Sequence, residues 1–258
     1  MGNLFDLSGK TAVITGASSG LGADAALAYS QAGADVALLA RRAEKLDAVK
    51  AEIEKTGQRA LAVPCDITQE KSVKNAVQTV IDTFGRVDIL LNNAGVAVGG
   101  GVDSMTEEAW DKSFNTNVKG IFFACKYVIP HMKEQGYGKI VNIASVNAII
   151  ADKDDRFIRH SYNASKAAVL GLTKGMACSY ARYGITINAI GPALFESEMT
   201  ANTLFKSEQF LRVYNMTTPA DRPGRRGELN GTVLYLSSDA SSYVQGQFIA
   251  VDGGYSLV

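Results

Sequence analysis

The sequence predicts an α/β fold, a single domain over residues 1–258 built on a doubly wound parallel sheet of seven strands with helices on both faces. Three observations carry this prediction. Short β-branched runs alternate with longer helical patterns along the whole chain. The runs are apolar on both faces, as strands are when helices cover both sides of a sheet. At least one helix separates each pair of runs, which gives right-handed crossovers rather than hairpins. No composition shift, linker or internal repeat divides the chain.

Each element follows from local pattern. Thr11–Thr15 (TAVIT) reads as the first strand, and Leu21 to Gln31 as an Ala-rich helix ending at Gly33. Val36–Ala40 (VALLA) is a strand, and Ala43–Lys55 is a charged amphipathic helix stopped by Gly57. Ala60–Cys65 is a strand. Gln69–Phe84 places Val73, Ala76, Val77, Val80, Ile81 and Phe84 on one helical face and stops at Gly85. Val87–Leu91 (VDILL) is a strand, and Glu107–Val118 begins a helix that runs, with a bend, to Met132. Lys139–Ile143 (KIVNI) is a strand, Tyr162–Tyr183 a helix and Ile185–Ile190 a strand. A helix near Arg226–Leu236 precedes the last strand, Gln247–Val251. The stretch Phe195–Asp221 lacks strand character and carries Phe195, Phe205, Phe210 and Tyr214. It reads as small helices near residues 194–221, either a lid over a site or an excursion packing its aromatics inward.

Several residue groups carry chemistry. Gly16, Ala17, Ser18, Ser19, Gly20, Leu21 and Gly22 follow the first strand and open the first helix. Glycines there let a phosphate approach backbone N–H groups at a helix N-terminus, which points to dinucleotide binding. At the end of the second strand an acid would hold a ribose 2′-hydroxyl. This chain has Ala40 followed by Arg41 and Arg42. Guanidinium groups suit a 2′-phosphate, so the residues favour NADP(H) over NAD(H). Tyr162 and Lys166 are spaced i,i+4 and share one helix face. Ser145 ends a strand, as does the run Asn92, Asn93, Ala94, Gly95. Strand ends of an open α/β sheet are where ligands bind. Asn117 lies in the long helix between them.

In this order and spacing, from TGASSGLG to the closing Val251-Asp252-Gly253-Gly254, the motifs resemble the short-chain dehydrogenase/reductase family. The resemblance covers essentially the whole chain. It implies a Rossmann sheet of order 3-2-1-4-5-6-7 and hydride transfer between NAD(P) and a carbonyl or alcohol. The family tetrad maps onto Asn117, Ser145, Tyr162 and Lys166. Asp66, with Ile67 beside it, matches the family's acidic contact to adenine, although alone it reads as a helix N-cap. Asn93, Ala94 and Gly95, and Pro192, Phe195 and Ser197 after the sixth strand, complete the implied cofactor contacts. Two departures stand out. The usual Pro-Gly is here Pro192-Ala193, and sixteen residues separate Ser145 from Tyr162, more than the family usually has. The extra segment brings Lys153, Arg156, Arg159 and His160 to the mouth of the expected pocket, where an arginine could hold a carboxylate.

The physics of the tetrad can be argued separately. Reduction of a ketone needs a hydride on carbon and a proton on oxygen. A neighbouring ammonium favours phenolate, so Lys166 is expected to lower the pKa of Tyr162, the general acid in reduction and base in oxidation. Ser145 donates to the substrate oxygen, and Asn117 holds a water that feeds Lys166. The C-terminal third resembles the gluconate 5-dehydrogenase and polyol dehydrogenase branch, which favours a sugar acid or polyol. Hydroxysteroid dehydrogenases and 3-oxoacyl carrier-protein reductases share the motifs. A non-catalytic NADPH sensor would not need the Tyr162–Lys166 pair.

Composition bounds the rest. Lys plus Arg and Asp plus Glu both number 26, so bulk charge argues against a nucleic-acid partner. Three scattered cysteines and two histidines argue against a disulfide framework and against a metal site. The start, MGNLFDLSGK, lacks a signal pattern, and no apolar run reaches 18 residues. The expectation is a cytoplasmic protein with no membrane contact, assembled as a homo-oligomer, dimer or tetramer.

Overall fold

A computed structural model describes residues 3–152, 154–201 and 204–258. Seven parallel strands form one sheet in the order β3-β2-β1-β4-β5-β6-β7. They are β1 (Thr11–Thr15), β2 (Asp35–Ala40), β3 (Ala60–Pro64), β4 (Ile89–Asn92), β5 (Gly138–Ile143), β6 (Ile185–Pro192) and β7 (Phe248–Val251). The main helices are α1 (Gly20–Gln31), α2 (Ala43–Glu54), α3 (Glu70–Phe84), α4 (Glu107–Phe114), α5 (Gly120–Gln135) and α6 (His160–Tyr180). After β6 come α7 (Glu198–Ala201), α8 (Glu208–Thr217) and α9 (Asn230–Ser237).

The period-2 alternation of strand side chains divides the core into two layers. Ala12, Ile14, Val36, Leu38, Ile89 and Leu91 pack with Ala26 and Tyr29 of α1, Leu46 of α2 and Val233 of α9. Val13, Ala37, Leu39, Leu90, Ile140 and Ile187 face the other way, onto Val77 of α3, Val128 of α5 and Val169 of α6. Strands buried on both faces read as continuous apolar runs, which is why they were legible.

Several expected boundaries move; α6, for one, runs His160–Tyr180 rather than Tyr162–Tyr183. The fourth strand begins at Ile89, not Val87, and runs through Asn92. Just before it, Asp88 is fully buried and accepts from Thr11 N (2.9 Å) and from both arms of Arg86. The expected bend in the long helix is a π-helical turn, Asn115–Lys119, between α4 and α5. The last helix begins at Asn230 rather than near Arg226. Glu228 caps the loop instead, pairing with Arg222 and accepting from Arg225 N, while Arg226 reaches Asp24.

The C-terminal ends of β1, β4, β5 and β6 converge on one cleft, where the chain reverses its strand order between β1 and β4. Such switch points are where open α/β sheets hold ligands. No helix of the described residues is long and apolar enough to cross a membrane.

Candidate active site

The cleft has a volume of about 1750 Å³ and is lined from Thr15 and Gly16 at one end to Phe210, Tyr214 and Tyr255 at the other. Single small-molecule pockets are typically ~300–1,000 Å³. This cleft therefore has room for more than one ligand moiety.

At the first end the turn after β1 is held from below. Asn93 Nδ2 donates to Thr15 O (3.2 Å) and Gly16 O (3.1 Å), and Thr15 Oγ1 accepts from Asn93 N and Ala94 N. Gly16 has φ +67°, and a Cβ there would lie 2.8 Å from Ala94 Cα. A Cβ on Gly22 would lie 2.4 Å from Asn93 Nδ2. The glycines therefore allow the turn to dock on β4, and the Asn93 side chain is a brace rather than a free donor. Leu21 lines the cleft beside Gly20.

Arg41 and Arg42 sit where the sequence puts them, at the end of β2. Both line the cleft. Arg42 Nη2 donates to Ser18 Oγ (3.0 Å) and Ser19 Oγ (2.8 Å) and also pairs with Glu198. Lys45 joins the same carboxylate, a partner that no sequence motif flagged. Asp66 and Ile67 line the cleft beyond β3. Asp66 is not the cap of α3. Its Oδ1 accepts from Thr68 N (3.0 Å) and Oγ1 (2.8 Å), and the cap position falls to Gln69.

Of the four tetrad positions, Ser145, Tyr162 and Lys166 line the other end, and Asn117 lies behind the wall beside Gly95. Asn117 is fully buried in the π turn. Its Oδ1 accepts from Val96 N (2.8 Å), and Nδ2 donates to Val96 O (2.9 Å) and Ser165 Oγ (2.9 Å). Ser145 follows β5, almost buried, and its Oγ accepts from Asn147 N (3.2 Å). Lys166 Nζ donates to Ile143 O at 2.8 Å and lies 5.7 Å from the centroid of the Tyr162 ring. Burial lowers the Lys166 ammonium to about 8. A Cβ on Gly95 would approach Asn117 Oδ1 (3.3 Å) and Lys166 Nζ (3.5 Å), so the glycine keeps this corner open.

The charge that favours Tyr162 phenolate is expected, from the i,i+4 spacing, to be that of Lys166. The structure distributes it differently. Burial raises the Tyr162 phenol, and the opposing pulls come from a hydrogen bond with Ser145 and from the Arg159 guanidinium. Arg159 Cζ lies 5.9 Å from the Tyr162 ring centroid. The i,i+3 spacing of Arg159 and Tyr162 was the available signal.

The segment before α6 borders the cleft as expected. Arg156 is exposed and bound on two sides by its own Asp154, which sits at about 2. Arg159 is better buried; its Nη2 meets Asp152 at 3.3 Å and its Nε donates to Phe157 O. His160 accepts from Val102 N through Nδ1 (3.1 Å). Lys153 lies outside the described residues. Phe157 packs on Phe210 (5.0 Å between centroids), and Tyr214 stacks on Tyr255 (5.0 Å). The first contact ties the segment to α8, and the second ties α8 to Tyr255 beyond β7.

Of the residues following β6, Pro192 ends the strand beside Ser145 and Ser197 lies against Gly20. The Phe195 ring is buried against Gly224. Ala193 causes no strain: among the described residues only Asp221 has positive φ without being glycine. All three cysteines are free, and no described His, Cys, Asp or Glu side chains gather as three or more potential metal ligands.

A family model described as short chain dehydrogenase matches residues 10–207. Gluconate 5-dehydrogenase of Gluconobacter oxydans is 40% identical over 255 residues, covering 99% of this chain and 98% of the relative. A 3-oxoacyl acyl-carrier-protein reductase of Thermotoga maritima is 36% identical, with 96% and 98% covered. Among solved structures, a gluconate 5-dehydrogenase from Burkholderia cenocepacia in complex with NADP and tartrate superposes with a TM-score of 0.93. It is 34% identical, with 99% of this chain and 98% of that chain covered.

Proposed function

The chain belongs to the short-chain dehydrogenase/reductase family, and on that premise we propose that it is an NADP(H)-linked oxidoreductase of a sugar acid or polyol. The observation that carries the reading is a single cleft with two ends. Arg42, Lys45, Ser18 and Ser19 converge at one, and Tyr162, Ser145, Lys166 and Arg159 at the other. The residues fit the cofactor. No carboxylate ends β2, and Gly16, Gly20 and Gly22 keep Cβ atoms off three positions of the turn, leaving backbone N–H groups at a helix start for a diphosphate. A nicotinamide cofactor held there would supply or accept the hydride. In reduction, Tyr162 gives its phenolic proton to the substrate oxygen while Ser145 donates a hydrogen bond to the same atom. Lys166, tethered to Ile143 O, would hold the cofactor ribose and return a proton to Tyr162. Asn117 holds the corner through which water reaches Lys166.

The sugar-acid reading rests on Arg159, a partly buried guanidinium beside Tyr162 that retains donors beyond those engaged by Asp152 and Phe157 O. The similarity to gluconate 5-dehydrogenases supports it. Similarity to 3-oxoacyl acyl-carrier-protein reductases supports a second reading, a 3-oxoacyl thioester.

The test is NADPH and NADH oxidation against 5-keto sugar acids, their uncharged analogues and a 3-oxoacyl thioester. We expect NADPH and the acid to be favoured, and Tyr162→Phe to lower kcat by about 10²–10⁴-fold. Arg159→Ala should weaken the acid by about 1.5–3 kcal/mol, mainly in KM, beyond any loss in kcat through Tyr162 that it shares with the uncharged analogue. An unchanged acid-to-neutral ratio removes the sugar-acid reading. A thioester turned over faster than the acid replaces it with the second.

A further inference from the structure

The first residue of α7 reaches across the cofactor end of the cleft. Glu198 accepts from Arg42 Nη1 (2.8 Å) and Nη2 (2.7 Å), and Lys45 Nζ donates to the same carboxylate. The Ser19 hydroxyl joins them, and together these donors hold the Glu198 carboxyl far below the usual range. Ser197 lies directly on the glycine turn, its Cβ 3.1 Å from where a Cβ on Gly20 would be. A segment following β6 thus rests on the turn after β1 and the end of β2.

The donor set is more than a carboxylate needs. A guanidinium fork, an ammonium and a serine hydroxyl together suit the three oxygens of a phosphate monoester. They stand at the end of β2, where the adenosine ribose lies in dinucleotide folds. We propose that Glu198 is an internal occupant of the 2′-phosphate seat. It competes with a 2′-phosphorylated nucleotide for Arg42, Lys45 and Ser19, and so sets how strongly the enzyme prefers NADP(H). The proposal rests on the NADP(H) reading above.

The competition has a defined direction. A phosphate monoester carries about −1.5 to −2 charges against one for a carboxylate, so the nucleotide displaces Glu198. The apparent affinity is reduced by the fraction of molecules in which the seat is occupied internally. A nucleotide without the 2′-phosphate leaves Glu198 where it is. Glu198 is therefore a specificity-determining residue that narrows the gap between the two cofactors.

Equilibrium binding of adenosine 2′,5′-bisphosphate and of 5′-AMP, by calorimetry on wild type, Glu198→Gln and Glu198→Ala, tests this. Both substitutions are at a half-exposed side chain, and circular dichroism checks their fold. We expect the bisphosphate to bind both variants about 3–10-fold more tightly than wild type, with 5′-AMP changed less than twofold. An unchanged or weakened bisphosphate overturns the proposal, the latter making Glu198 a clasp over bound nucleotide. Equal tightening of both nucleotides also overturns it, making Glu198 a plug without preference. If every form binds the bisphosphate no better than 5′-AMP, the NADP(H) reading itself fails.

Discussion

Lys166 is where burial and function meet most directly. Its ammonium is nearly inaccessible, donates to one carbonyl and has its pKa lowered to about 8. Unfolded, the side chain titrates near 10.4, so between pH 8 and 10 the unfolded chain binds the extra proton. Stability from this group is complete above the unfolded value and is lost as pH falls through about 8. Wild type should therefore gain about 2 kcal/mol relative to Lys166→Met between pH 8 and pH 10, read from denaturant midpoints. A difference flat across that window would mean that the folded amine is not depressed. Buried tyrosines such as Tyr162 and Tyr214, both raised, act oppositely above pH 10, which sets the upper limit of the measurement. Tyr162 and Lys166 stood out because their i,i+4 spacing shares a helix face and, with Ser145 and Asn117, resembles the family's tetrad. The charge distribution was not legible, because whether an ammonium meets a phenol or a carbonyl depends on rotamers chosen by packing.

At the scale of elements, the π turn between α4 and α5 is the feature with the most consequence. The sequence showed a bend in a long helix, and period alone does not tell a π turn from a kink. Asn117 sits in that turn and ties it to the loop after β4 and to α6, using every polar atom of its side chain. Asn117→Ala would remove the partner of Val96 N–H and O at the cleft wall and of the buried Ser165 Oγ. We expect a loss of about 2–3 kcal/mol. That corresponds to about 4–10 °C in Tm for a chain of this size, measured by calorimetry. A fall below 1 °C would show that water replaces the side chain without penalty. The strands and α3 were read nearly to the residue, since apolar period and terminal glycines such as Gly85 mark them. The start of α9 was not, because its preceding loop is organised by Glu228 and Arg222, 6 residues apart and without helical period.

For the molecule as a whole, the crossovers made a doubly wound parallel sheet legible and the family resemblance supplied its strand order, while the closure of the cleft was not legible. Lining residues run from Thr15 to Tyr255, and the two core layers share nearly every strand. The domain reading over residues 1–258 then carries a thermodynamic consequence. A ligand that bridges such a cleft binds only the folded chain, so its binding energy adds to stability. At 100 times its Kd, NADPH should contribute about 2.7 kcal/mol, a rise of about 5–10 °C in Tm. The expected trace is one calorimetric transition that moves intact with NADPH, and moves less with NADH at equal concentration. Two transitions, with only one shifting, would instead separate the segment after β6 from the sheet and assign the cofactor to whichever unit moved. The same titration on Glu198→Gln should move the transition further with NADPH and leave the NADH shift unchanged, because only the 2′-phosphate has a competitor to expel.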